Sequence, residues 1–142
     1  MAAEAQVQFF LGANAPTGFY SLYDQLIDPA EAEDIYILKG GPGCGKSSLM
    51  KRVGGALEER GLAAEYIPCS GDPDSLDAVV FPSLKAAIVD GTAPHVVEPK
   101  YPGAVECYVN LGDCYDKAAL ARIKPEIISC MTGYKGCYTR AY

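Results

Sequence analysis

The chain has 142 residues, of which 49% are hydrophobic and 21% are charged, and its net charge is −6. This composition excludes an intrinsically disordered chain, and the acidic balance argues against general nucleic-acid binding, which needs a basic face. No segment contains the run of about 20 apolar residues that is needed to span a bilayer. The first basic residue, Lys39, comes too late for a signal peptide. We therefore predict a cytoplasmic protein without a membrane anchor, whose six cysteines are free thiols.

The first half of the chain is predicted to contain two strands and two helices. Residues 6–13 form a short predicted strand, and residues 14–18 are a turn cluster. Apolar residues at helical spacing predict a helix over residues 19–27. Residues 35–38 are an apolar run that leads into glycines, which is the pattern of a buried parallel strand. Residues 47–60 predict an amphipathic helix that ends before a glycine.

The second half continues with further strands and a loop. Residues 63–68 are predicted to be a strand, residues 72–77 a turn that leads into a short helix, and residues 85–89 another strand. Residues 92–103 contain three prolines and are predicted to be a loop. A strand, a glycine-rich loop, a helix and further strands in this order are typical of a parallel α/β sheet.

The glycine-rich loop carries the strongest functional signal. Residues 40–47 read Gly-Gly-Pro-Gly-Cys-Gly-Lys-Ser and match the phosphate-binding pattern G-x-x-x-x-G-K-[ST] in full. Glycines let the backbone turn so that its N–H groups face an anion at the positive end of the following helix. Lys46 is expected to bind the β- and γ-phosphates, and the Ser47 hydroxyl to bind Mg²⁺. The residues predicted to contact the nucleotide are Gly40, Gly41, Pro42, Gly43, Cys44, Gly45, Lys46, Ser47 and Ser48.

The motif and the element order together predict a fold class. We expect residues 1–142 to form one nucleotide-binding domain of the P-loop NTPase type, in which a parallel sheet is flanked by helices. The last segment, residues 116–142, is predicted to be helical and broken near Pro125 and Gly133. Because only three strands are convincing after the N-terminal segment, the hypothesis is that the domain is truncated at its C-terminal end and that the chain is an N-terminal fragment.

Asp90 is the predicted second magnesium residue. It ends the apolar run Ala-Ala-Ile-Val-Asp, and a carboxylate at such a strand end holds Mg²⁺, usually through its water shell. An ordinary turn with Gly91 would explain the same pattern, and Asp72 and Asp113 are weaker alternatives for the metal. With Lys46, which stabilises phosphate charge, Asp90 forms the predicted catalytic pair.

Two sequence features that do not occur here bear on the type of reaction and on which nucleobase is bound. Gly91 follows Asp90, at a place where hydrolytic ATPases often have a carboxylate that orients the attacking water. An Asp-Gly pair is similar to the corresponding strand end of nucleotide kinases, which favours phosphoryl transfer over hydrolysis. The guanine-recognition motif N-K-x-D does not occur, since neither Asn14 nor Asn110 precedes a lysine. ATP is therefore expected rather than GTP.

Weaker candidates have ordinary explanations as well. His95 is a candidate for contact with the γ-phosphate or a substrate, although a lone loop histidine is more often a surface or capping residue. Cys44 lies beside a predicted helix N-terminus, which favours a thiolate and hence redox control, but a small side chain at a tolerant position explains it more simply. Candidate charge-stabilising residues, which also suit a solvated helix face, are Arg122, Lys124 and Arg140.

Five short segments together resemble a little-characterised family of bacterial P-loop ATPase-like proteins. They are FFLGAN at 9–14, GFY at 18–20, LKGGPG at 38–43, DPDSLD at 72–77 and VDGTAPH at 89–95. The resemblance weakens after about residue 116. It implies two tandem P-loop units in the whole protein, of which this chain would be about the first half of the first unit. It also implies an ATPase more than a kinase.

Three functions remain open from the sequence. The first is a P-loop protein that binds MgATP and hydrolyses it when full length. The second is a nucleotide or small-molecule kinase that transfers the γ-phosphate. The third is a non-enzymatic interaction module whose loops order when nucleotide binds.

Overall fold

The structure, a computed structural model, describes residues 6–92 and 96–142. Eight strands and three α-helices follow one another along these residues. The strands are β1 (Val7–Gln8), β2 (Gly12–Ala15), β3 (Gly18–Ser21), β4 (Asp34–Lys39), β5 (Glu65–Pro68), β6 (Leu76–Phe81), β7 (Ala86–Asp90) and β8 (Glu106–Asn110). The helices are α1 (Lys46–Glu59), α2 (Lys117–Arg122) and α3 (Lys124–Ala141).

Six strands form one mixed sheet in the order β1-β5-β6-β7-β4-β8. The α/β class is confirmed, but the prediction of a parallel sheet is wrong, because β6 runs antiparallel to both β5 and β7. The connections on either side of β6 are residues 69–75 and 82–85, whereas a parallel crossover needs about a dozen residues or more. The prediction of a short helix that begins within residues 72–77 is also wrong, because strand β6 starts at Leu76.

The N-terminal segment forms a hairpin instead of a helix. Strands β2 and β3 pair antiparallel, with Gly18 in the left-handed region at φ 122° after a two-residue turn. The helix predicted over residues 19–27 is therefore wrong, and only a 3₁₀ turn, Tyr23–Gln25, lies within it. The apolar residues of this segment pack on the sheet, where the Tyr23 ring is buried.

Strand β4 lies inside the sheet, parallel to β7 on one side and to β8 on the other. Its consecutive residues Ile37 and Leu38 face opposite sides of the sheet and are buried in different layers of the core. Helix α1 packs on the face that carries Leu38, where Met50 is fully buried, and the N-terminal hairpin packs on the face that carries Ile37. The predicted strand–loop–helix order around residues 35–60 is confirmed.

The C-terminal segment contains a strand that the sequence did not predict. Strand β8 follows the proline-rich loop and forms one edge of the sheet. The helical prediction for residues 116–142 is confirmed, but the break lies at Ile123, before Pro125, and α3 continues through Gly133. Among the helices of the described residues, none has the length and hydrophobicity that a membrane span requires.

Candidate functional site

The glycine loop joins the end of β4 to the start of α1. Gly43 at φ 76° and Gly45 at φ 96° adopt left-handed conformations that favour glycine. Gly45 is the N-cap of α1, and it provides no side-chain cap. The first turn of the helix also contains no acidic residue. Its N–H groups are thus not satisfied by a side-chain cap, and they provide donors for an anion at the positive end of the helix.

Lys46, the first residue of α1, turns back toward this loop. Its side chain is only 10% exposed, and its ammonium group donates to the Gly40 carbonyl at 2.5 Å and to Thr92 Oγ1 at 3.0 Å. The third neighbour is Asp90, whose Oδ1 lies 3.4 Å from Lys46 Nζ. A buried ammonium needs acceptors for its protons, and these three groups supply them.

Asp90 reaches this position because β7 lies beside β4. In the parallel register Asp90 pairs with Leu38, so β7 ends close to the point where the glycine loop begins. The carboxylate also accepts a hydrogen bond from the Thr92 backbone N–H at 2.9 Å. The structure thus brings together the predicted pair Lys46 and Asp90, which are far apart in the sequence.

The two alternative aspartates lie in local turns instead. Asp72 accepts a hydrogen bond from the Ser75 hydroxyl at 2.8 Å, and Asp113 accepts one from the Asn110 side chain at 3.1 Å. Both aspartates are exposed. Of the three aspartates considered for the metal, Asp90 is the one that pairs with Lys46.

Ser47 connects the start of α1 to β6. Its hydroxyl oxygen accepts a hydrogen bond from the Leu76 backbone N–H at 2.8 Å. A hydroxyl oxygen has two lone pairs, so one remains for a metal ion. The neighbouring Ser48 is exposed on the helix surface.

The two predicted magnesium residues, Ser47 and Asp90, both offer oxygen atoms as donors. Within residues 6–92 and 96–142, no group of three or more His, Cys, Asp or Glu side chains is arranged to hold a metal ion. Mg²⁺ keeps several waters and binds through one or two protein oxygens together with phosphate oxygens. Ser47 and Asp90 supply oxygen donors of this kind.

A tyrosine that is distant in the sequence, Tyr115, contacts the start of the loop. The Gly41 N–H donates to the Tyr115 hydroxyl at 2.5 Å, and Tyr115 follows the 3₁₀ turn after β8. On the inner side of the loop, Cys44 Sγ lies against Gly40, where a Cβ atom at position 40 would be only 2.5 Å from the sulfur. Cys44 therefore packs against the loop backbone at Gly40.

A buried carboxylate, Asp77, lies near the start of β6. It accepts a hydrogen bond from the Tyr23 hydroxyl. Burial of the ring and the nearby Asp77 raise the pKa of Tyr23 well above its usual value, and the Asp90 charge adds to this effect. Tyr23 therefore stays protonated and remains a donor to Asp77 in the physiological range.

Two residues of the site were not predicted. Thr92 contacts Lys46 and Asp90. It lies two residues after the strand-end aspartate and within the segment VDGTAPH, but neither feature assigns it a contact with the lysine. Tyr115 has no local signal, because its contact with the loop depends on how β8 packs beside β4.

The remaining candidates do not join the site in the described residues. His95 lies outside those residues. The six cysteines are free thiols, as predicted. The three candidate cationic residues lie on the exposed C-terminal helices or where they meet, and they are Arg122, Lys124 and Arg140.

Comparison with known proteins gives no relative: no protein-family model, no curated protein and no solved structure matches this chain. The resemblance to bacterial P-loop ATPase-like proteins therefore stays a hypothesis that depends on the five segments alone.

Proposed function

We propose that this protein binds MgATP at residues 40–47 and hydrolyses it. One observation carries the proposal. The side chains of Lys46 and Asp90 form a largely buried ion pair at the start of α1, which has no side-chain cap. This pair lies beside the loop in which Gly43 and Gly45 adopt left-handed conformations. A structural ion pair alone does not need a glycine loop or free helix N–H groups beside it.

The proposed binding mode follows from the charges at this site. The N–H groups around Gly43 and Gly45 and the start of α1 attract a polyphosphate. Lys46 exchanges a contact with the loop for a phosphate oxygen and stays close to Asp90. Ser47 and Asp90 hold Mg²⁺, which neutralises phosphate charge when it is bound.

Titration calorimetry of MgATP tests the proposal. We expect binding to the unmodified chain, and a loss of at least about tenfold in affinity for Lys46→Ala, because an ion contact to phosphate is removed. Lys135→Ala is the matched control, since Lys135 is an exposed lysine of α3. No MgATP binding to the folded chain, or equal binding by Lys46→Ala, would refute the proposed function.

One feature favours the second candidate, a kinase. A Cβ atom at position 91 would come closer than 3.0 Å to the buried Ile37 Cγ2, so the place after Asp90 has no room for a carboxylate. Without an acidic group there, the orientation of an attacking water has to come from elsewhere. Phosphate release without an added acceptor supports hydrolysis, whereas ATP turnover only in the presence of one metabolite supports the kinase.

A further inference from the structure

Thr92 lies at the point where the glycine loop, Lys46 and β7 meet. Its Oγ1 is 3.0 Å from Lys46 Nζ and 3.0 Å from the Gly40 carbonyl oxygen. Its backbone N–H donates to Asp90 Oδ1 at 2.9 Å. One residue thus contacts the loop, the lysine and the carboxylate.

The chemistry of these groups fixes the direction of each hydrogen bond. Lys46 can only donate, and the Gly40 carbonyl can only accept. The Thr92 hydroxyl therefore accepts from Lys46 and donates its own proton to Gly40. Lys46 donates to the same carbonyl at 2.5 Å, so the Gly40 oxygen has two donors and the three groups form a closed ring.

This ring has a consequence if Lys46 moves to a phosphate oxygen. The half-buried Gly40 carbonyl would lose one donor, and leaving a buried acceptor unsatisfied is unfavourable. The Thr92 hydroxyl still donates to that carbonyl, so the cost does not arise. The same hydroxyl limits the positions that the Lys46 ammonium can take.

We infer that Thr92 is a positioning residue for phosphate binding. It holds the Lys46 ammonium at the loop, and it keeps the Gly40 carbonyl satisfied when Lys46 turns to a nucleotide. The inference rests on the proposed function, because it concerns the same site. It predicts that the hydroxyl group, and not the size of the side chain, is what position 92 requires.

The test compares MgATP affinities by calorimetry. Thr92→Val keeps the shape of the side chain and removes the hydroxyl, and we expect it to weaken binding about tenfold. Thr92→Ser keeps the hydroxyl and should bind within about twofold of the unmodified chain. Thr139→Val is the matched control, because the Thr139 hydroxyl only donates to its own helix at the Lys135 carbonyl.

A double variant shows whether Thr92 acts through Lys46. In a Lys46→Ala background, Thr92→Val should weaken binding by much less than tenfold, because the ammonium that it positions is gone. Equal losses in both backgrounds, unchanged binding by Thr92→Val, or a tenfold loss in Thr92→Ser would each overturn the inference. If Thr92→Val does not fold, Thr92→Ala replaces it under the same criteria.

The two proposals fail in different ways. If the unmodified chain binds no MgATP, the proposed function fails. If it binds MgATP and needs Lys46 but Thr92→Val binds normally, only the role of Thr92 fails.

Discussion

The ammonium group of Lys46 lies 3.4 Å from a carboxylate oxygen of Asp90, and the two side chains are only 10% and 15% exposed. Neither charge has much contact with water, so each one depends on the other and on nearby hydrogen-bonding groups. Removing one side chain of the pair leaves the other charge largely buried and without its oppositely charged partner. Mutations of this pair will therefore affect stability as well as ligand binding, and the two effects have to be measured separately.

Asp90→Asn should remove most of the effect of Mg²⁺ on ATP affinity. An aspartate that holds the metal through its water shell contributes about 10- to 100-fold to metal affinity. We therefore expect Mg²⁺ to raise the ATP affinity of the unmodified chain. The factor by which Mg²⁺ raises the affinity should be at least tenfold smaller for Asp90→Asn. Calorimetric titrations of ATP with Mg²⁺ and with EDTA measure this difference.

Asp113→Asn is the matched control for that experiment. Asp113 is exposed and hydrogen-bonds to Asn110 in its own turn, so its removal should leave the magnesium effect unchanged. Equal magnesium effects in the unmodified chain and in Asp90→Asn would show that Asp90 does not hold the metal. A thermal melt of each variant without ligand identifies any loss of folded protein.

The meeting of the loop with Asp90 could be predicted, because both lie where strands end. Glycines followed by Lys and Ser are typical of a phosphate-binding loop. The residues at the carboxyl ends of neighbouring parallel strands lie at the same edge of a sheet. The sequence of β4 carries the pattern of a buried strand, and the prediction for residues 35–38 agrees with it.

Strands β6 and β8 could not be predicted in the same way. All residues of β6 are buried, so its sequence shows no alternation that would separate a strand from a buried helix. Strand β8 begins with Glu106, which is buried because its carboxylate accepts hydrogen bonds from the backbone N–H groups of Lys100 and Tyr101. That burial depends on tertiary structure, and no local pattern indicates it.

Two adjacent glycines of α1 should respond in opposite ways to alanine. At Gly54 a Cβ atom would lie 2.5 Å from the Tyr66 hydroxyl oxygen, so Gly54→Ala should lower the free energy of unfolding by about 1–3 kcal/mol. At Gly55 no atom lies within 4 Å of such a Cβ, so Gly55→Ala should raise it by about 0.5–1 kcal/mol, the helix preference for alanine.

Urea unfolding followed by circular dichroism measures both changes. Equal effects of the two substitutions would show that α1 does not pack closely on Tyr66. The double variant Gly54→Ala with Tyr66→Phe should recover part of the lost stability, because the nearest clashing atom is removed.

Gly91→Ala should destabilise the protein for a steric reason. The added methyl group would meet Ile37, which is fully buried in strand β4, and overpacking of this kind costs about 1–3 kcal/mol. Gly71→Ala is the matched control, since the nearest atom to its Cβ would be the Tyr138 hydroxyl oxygen at 3.6 Å. Urea unfolding of both variants decides the matter, and a neutral Gly91→Ala would show that β4 and the turn after β7 have room to separate.

The stability of the fold should fall as pH rises from 10 to 12, and Tyr66 should account for part of that fall. Burial, together with the hydrogen bond to the Glu58 carboxylate, raises the pKa of Tyr66 to about 12. In the unfolded chain a tyrosine loses its proton near pH 10. Between these two values the unfolded chain releases a proton that the folded chain keeps, so the free energy of unfolding decreases with pH.

Tyr66→Phe removes this titrating group, and its free energy of unfolding should fall less steeply over the same pH range. Urea unfolding at several pH values between 9 and 12 measures the two slopes, and Tyr20→Phe is the matched control, because Tyr20 is an exposed tyrosine of the hairpin. Below pH 10 both forms of Tyr66 are protonated, so the stability difference between Tyr66→Phe and the unmodified chain should be independent of pH there. Parallel slopes up to pH 12 would show that the Tyr66 proton is not held by burial and Glu58.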